Sequence, residues 1–190
     1  MDQTQQPKGN FVGFTNRYKQ KGDKRPNFDG RIAIPGTERE FRMALWAGQD
    51  KHGNVMFSGR TADISTSDSA LEQIHAMAGV GSDAKTLEEN GIKLEPGQIV
   101  VFKNSFKDEA NPGRPDFYGR WNPGTGDKLV NVSVWARTSK FKQAMLTGQT
   151  QYALPGKGLS DAAEISADEQ HLADNEADKP ARRARGGRAA

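Results

Sequence analysis

RPNFDGR, residues 25–31, and RPDFYGR, residues 114–120, are two copies of one pattern within a single chain of 190 residues. Shifted by 89, Arg25, Pro26, Phe28, Gly30 and Arg31 fall on Arg114, Pro115, Phe117, Gly119 and Arg120, and Trp46 and Ala47 fall on Trp135 and Ala136. Upstream the shift is 88, which places Val12, Phe14, Asn16 and Lys19 on Val100, Phe102, Asn104 and Lys107. The eleven identities span residues 12–47 and 100–136, where ordinary composition gives roughly two. The chain therefore carries an internal duplication. Two copies are too few for an open solenoid, so they form two similar units, standing apart or sharing one barrel or sandwich, an OB-like one included.

Each copy alternates with the period of a strand. Phe41, Met43 and Leu45 share one face, as do Val130, Val132 and Val134 in the second copy, and each tryptophan falls on the opposite face. Pro-Gly at 35–36 and the string NPGTGD at 122–127 mark turns. Gly30 and Gly119 fall within strands, where glycine marks a bend or a close backbone approach. The fold class is mainly β: two related antiparallel meander units, a short helical connector and a disordered C-terminal tail. The divisions are a disordered leader over 1–10, unit one over 11–62, an acidic, partly helical connector over 63–96, unit two over 97–145, and a disordered acidic-then-basic tail over 156–190. Within the connector, Ser69 and Glu72 have capping-box spacing ahead of Leu71, Ile74 and Met77, which predicts a helix over 69–78. A second helical turn is expected over 84–90, stopped by Gly91. Residues 139–147 fit either a short helix or a last strand.

Charge is segregated along the chain. Residues 1–60 hold eleven basic and six acidic residues, and residues 98–157 hold nine and four. Between them, residues 61–97 hold two and seven; beyond, residues 158–178 hold seven acids and no base, and residues 179–190 five bases and no acid. Basic modules favour polyanionic partners such as nucleic acid. The chain has no cysteine, which excludes disulfides and thiolate metal sites. Its N-terminus lacks the apolar core of a secretory signal, and no apolar run approaches the ~20 residues of a membrane helix. A cytoplasmic protein without membrane contact is the expectation. The duplication repeats aromatic, basic and glycine residues rather than acids or nucleophiles, and the three histidines lack ligand spacing, so neither catalysis nor a cofactor or metal is expected.

Aromatic rings beside guanidinium groups on a polar sheet face stack unpaired bases. On that logic Trp46, Trp135 and Tyr118 are candidate stacking platforms, and Arg31, Arg42, Arg120 and Arg137 candidate phosphate ligands. Lys19, Lys21, Lys24 and Arg25 in the first loop, with Lys103, Lys107 and Arg114 in the second copy, extend the basic track. The expected function is binding of single-stranded nucleic acid, preferably DNA, with little sequence specificity; a host or replication protein is the further partner considered. The competing structural role is that each tryptophan seals a second small core. The competing function is a protein-binding module, such as an inhibitor of a host enzyme.

A basic loop, Pro-Asp-Phe-x-Gly, a turn and a strand ending in Trp together resemble small β-rich proteins of bacterial plasmids and phages. The resemblance covers the two repeat blocks. It implies a protein of a mobile element and no particular activity.

Overall fold

The computed structural model describes residues 6–64, 85–153 and 160–163. Unit one supplies β1 (Gly9–Thr15), β2 (Phe28–Ala33), β3 (Glu40–Gln49) and β4 (Val55–Asp63). A small hairpin follows, β5 (Leu87–Glu89) and β6 (Ile92–Leu94). Unit two supplies β7 (Gln98–Lys103), β8 (Phe117–Trp121), β9 (Val130–Thr138) and β10 (Ala144–Tyr152). A four-residue helix, α1 (Ser160–Ala163), is the last described element. The two units share one closed antiparallel barrel, ordered β1-β10-β9-β8-β7-β4-β3-β2, with β5 and β6 as a separate two-stranded sheet.

The duplication is realised in three dimensions, down to the register. Gly30 pairs with Gly13 as Gly119 pairs with Val101, and Phe28 with Leu45 as Phe117 with Val134. Both seams between the units repeat as well: Gly59 faces Ile99 across β4 and β7, and Gly148 faces Phe11 across β10 and β1. The fourth strands extend the sequence match beyond the tryptophans. Met56, Gly59 and Thr61 correspond to Met145, Gly148 and Thr150 at the same shift of 89. This decides residues 139–147: after a tight turn they enter a strand that runs on to Tyr152, past the expected end of unit two at 145. Unit one likewise begins at Gly9, inside the stretch expected to be a leader.

Inward-facing side chains fill the barrel. Phe11, Ile32, Phe41, Met43, Leu45 and Phe57 meet Ile99, Val101, Trp121, Val130, Val132, Val134 and Leu146 in one core. Aromatic edges lock it: Phe28 against Phe57 with ring centroids 5.5 Å apart, Phe57 against Phe117 at 5.1 Å, and Phe41 against Trp121 at 5.3 Å. The Trp121 indole N–H donates to Thr61 Oγ1 at 2.9 Å, so the one polar atom of this buried ring is satisfied.

Two expectations need correction. The helical turn expected over 84–90 is a β-hairpin: Asn90 and Gly91 both have positive φ, 52° and 76°, as an Asn-Gly type I′ turn requires. Its apolar side, Leu87, Ile92 and Leu94, packs on Val100 and Leu129 outside the barrel. Second, residues 160–163 are helical and docked, within a tail expected to be disordered: Ala162 and Ala163 are fully buried. The helix expected over 69–78 and the rest of the tail lie outside the described residues.

The mid-strand glycines are there because backbones touch. A Cβ on Gly30 would lie 1.8 Å from the Val12 carbonyl oxygen, and one on Gly119 would lie 1.8 Å from that of Val100, the repeat-related atom. Gly30→Ala and Gly119→Ala should therefore each cost about 3 kcal/mol or more of unfolding free energy in urea titrations, while Gly48→Ala, which meets nothing within 4 Å, should change it by less than about 0.5 kcal/mol.

Candidate nucleic-acid interface

All four strand-to-strand loops over residues 16–27, 50–54, 104–116 and 139–143 gather at one end of the barrel, as the up-and-down strand order requires. The longer two are built alike. Asn16 Oδ1 accepts from the Tyr18 N–H at 3.0 Å, and Asn104 Oδ1 from the Phe106 N–H at 2.9 Å. Arg25 Nη1 donates to the Tyr18 carbonyl at 3.0 Å, and Arg114 Nη1 to the Phe106 carbonyl at 2.8 Å. The Trp46 indole donates to the Lys24 carbonyl at 2.8 Å, and the Trp135 indole to that of Gly113 at 3.0 Å. The side chains of Asn27 and Asp116 accept from the Ala47 and Ala136 N–H groups at 2.9 and 2.8 Å. Much of what the duplication preserves thus folds these loops onto the barrel rim.

One substitution changes how the two long loops are fastened. Asp116 carries a charge where Asn27 does not, so Lys107 Nζ pairs with Asp116 Oδ1 at 2.7 Å. Its counterpart Lys19 instead caps backbone carbonyls, Asp23 at 2.9 Å and Arg25. Asp23 holds the loop from the other side: the backbone N–H of Arg25, opposed by desolvation and helped by the Arg25 guanidinium, keeps its carboxyl below the ordinary 3.8. A depressed carboxylate stabilises above its unfolded pKa and loses that contribution only as pH falls through the lowered one, so this anchor persists throughout the neutral range.

The candidates from sequence divide accordingly. Trp135 is 2% exposed and offers no face to a base; its indole N–H holds the 104–116 loop through the Gly113 carbonyl. Trp46 is half-buried with its indole N–H engaged. Tyr118 is half-buried against the Phe106 ring, centroids 6.5 Å apart. Arg120, 1% exposed, presents no guanidinium surface to a ligand: its Nη1 pairs with Glu89 Oε2 of the β5–β6 hairpin at 3.2 Å. Burial lowers the Arg120 pKa and the Glu89 carboxylate raises it again. Arg31, its exposed counterpart, pairs with Glu40 at 3.4 Å. Arg137 is half-buried with an enclosed, unbonded Nε, and Arg42 is half-buried on β3. Lys19, Arg25, Lys107 and Arg114 are the loop fasteners just described. Lys21, Lys24 and Lys103 remain as exposed lysines. The strand faces therefore do not bring the candidates together into one groove.

The loop end does assemble a basic, aromatic corner, from residues the strand logic passed over. Arg17 clasps Gln143 Oε1 through Nε at 3.0 Å and Nη2 at 2.6 Å. Gln143 Nε2 donates to the Thr15 carbonyl at 2.9 Å, and Thr15 Oγ1 to the Ala144 carbonyl at 2.6 Å. These bonds tie the β1–β2 loop to the β9–β10 turn across the β1–β10 seam. The two segments, 16–27 and 139–143, hold seven basic residues and one acid. They also hold the two most exposed large apolar side chains among the described residues, Phe141 at 73% and Tyr18 at 69%. The repeat-related corner, 104–116 with 50–54, holds three basic and four acidic residues, and its aromatic, Phe106, is 45% exposed. The signal was present in the pairing of Tyr18 with Phe106, one residue from Lys19 and Lys107. Phe141 had none, because its segment could not be assigned an element.

No family model, curated protein or solved structure matches the chain. Among the described residues no group of three His, Asp or Glu side chains is placed to hold a metal ion, and no helix is long and apolar enough to cross a membrane.

Because Trp135 is buried and anchors a loop, Trp135→Ala should cost about 3–5 kcal/mol of stability. Trp135→Phe, which keeps the ring but leaves the Gly113 carbonyl without its donor, should cost about 1–3 kcal/mol. Chemical denaturation of both variants measures the difference.

Proposed function

We propose that this protein binds single-stranded nucleic acid, single-stranded DNA in the first instance, at the corner where the β1–β2 loop meets the β9–β10 turn. The observation that carries the reading is a broken equivalence. Two corners share one construction, yet only one concentrates positive charge around strongly exposed rings. Rings such as Tyr18 and Phe141 stack bases of any identity, because every base has a π-face. Lys21, Lys24, Lys140 and Lys142 neutralise the phosphates between them, a term that is independent of sequence and weakened by salt. Duplex DNA hides its base faces and engages only the charge.

The turn itself supports this reading. Lys142 has φ 58°, in the left-handed region that side chains disfavour by roughly 1–2 kcal/mol. The equivalent turn in unit one carries Gly53 at φ 80° and makes the same bond: Gly53 N–H to the Asp50 carbonyl, 3.0 Å, against Lys142 N–H to the Ser139 carbonyl, 2.8 Å. Glycine is the stable choice for this geometry. A lysine held there in spite of the backbone cost fits a side chain kept for its charge.

Tyr18→Ala and Phe141→Ala should each weaken binding of a fluorescent thymine oligonucleotide by about 1–3 kcal/mol without lowering Tm, while Phe106→Ala leaves affinity unchanged. Lys24→Ala should reduce the slope of log affinity against log salt by about 0.7. Lys142→Gly should bind more weakly while being at least as stable as the parent protein. Equal loss from the Phe106 and Tyr18 variants, or tighter binding to duplex than to single strands, would remove the site from this corner.

A further inference from the structure

The docked segment α1 fixes where the acidic part of the chain sets out. Ser133 Oγ, on the outer face of β9, donates to the Ala162 carbonyl at 2.6 Å, and Asn104 Nδ2, just past the end of β7, donates to the Ala163 carbonyl at 2.9 Å. Asn104 Nδ2 also donates to the Pro115 carbonyl at 2.8 Å, so the anchor belongs to the β7–β8 loop. From residue 162 to 163 the chain therefore climbs from mid-strand to the rim. It leaves its last described residue at the same end of the barrel as the basic corner. Residues 164–178 follow, with six acids and no base.

We propose that residues 164–178 act as an intramolecular competitor of nucleic acid for the basic corner at β1 and β10. The inference rests on the reading of that corner as a nucleic-acid site and adds its regulation. Distance allows it: from β7 to β10 is three strand spacings, roughly 15 Å at the usual separation, while fifteen residues reach up to about 50 Å. Charge selects the target, since the nearer loop, 104–116, is itself net acidic and repels the segment, whereas the corner at 16–27 and 139–143 attracts it. Tethering makes the encounter intramolecular, equivalent to a local concentration in the millimolar range. Weak ion pairs then suffice to hold off non-specific binding at low salt and yield to a longer polyanion. The device sets a threshold: strands that offer several phosphates and bases at once displace the segment, and short anions do not.

Two measurements on the full-length chain test it. The first is zero-length carbodiimide coupling, which joins amines to carboxylates only where they touch and needs no nucleic acid. Links from Glu164, Asp168, Glu169, Asp174, Glu176 or Asp178 to Lys21, Lys24, Lys140 or Lys142, lost when a thymine oligonucleotide of about 15 nucleotides is added, are the expected result. The second is affinity for that oligonucleotide after replacing those six residues by Gln or Asn. Binding should tighten at least about fivefold at low salt, and the gain should vanish at high salt. Links confined to Lys51 or Lys107, or an affinity unchanged by the six replacements, overturn the competition. Links to the corner lysines in a protein that binds no oligonucleotide, with or without the replacements, overturn the nucleic-acid reading itself while leaving the contact between tail and corner standing.

Discussion

A four-stranded meander has two open edges, and each edge presents a row of N–H and C=O groups that need partners. Here every edge is met by the other copy: β4 pairs with β7, and β10 with β1. The two seams are equivalent under exchange of the units, so one solution to the edge problem serves twice and closure removes all four edges together. Closure in turn imposes curvature. The strands can approach only where side chains are missing, which is why Gly30 and Gly119 lie against the carbonyls of Val12 and Val100, and why Gly59 and Gly148 recur on the strands that form the seams. The same closure collects four loops at one end, and so decides where a surface built from loops can arise at all.

Much of this architecture was legible in the sequence, and the reasons are physical. The duplication could be read because its residues are bound by the fold: tryptophans that hold loops, glycines that permit contact, a proline before each second strand. The inward faces could be read because period-2 alternation is strict in β3 and β9. Legibility fails where two local signals compete over one short stretch. Gly91 by itself reads as the end of a helix, yet it follows Asn90, and Asn-Gly between short apolar stretches is a hairpin signal. The last strand is marked only by its Met-x-x-Gly-x-Thr, which matches that of β4.

The candidate site was less legible, because periodicity describes strands and the corner is made of loops. Alternation correctly placed Trp46 and Trp135 on the outer face but could not show that the outer face is covered. The indoles spend their N–H groups on the carbonyls of Lys24 and Gly113, and the shared arginines Arg25 and Arg114 spend theirs on Tyr18 and Phe106. Residues that a duplication preserves are those both copies need, and both copies need to fold. A function exercised at one of two equivalent corners leaves its mark in the opposite way, at positions where the copies differ.

That distinction points to the differences. Lys142 stands where unit one has Gly53, Phe141 where it has His52, and Lys21 where the aligned loop of unit two carries Glu109. Each change adds charge or aromatic surface to the same corner, and none is required by packing, since the positions are exposed. A change made for stability at the turn would have run the other way, from lysine to glycine. The anchoring bonds, by contrast, are matched pair for pair across the two units, and unit two even reinforces its loop with the Lys107–Asp116 ion pair. The 104–116 loop has thus kept a tighter, net acidic form, while charge has accumulated on the first loop of unit one and the last turn of unit two, which meet at the β1–β10 seam. A duplicated barrel permits this division because closure is made at the seams and in the core, which leaves the exposed positions of the rim, outside the matched anchors, free to diverge.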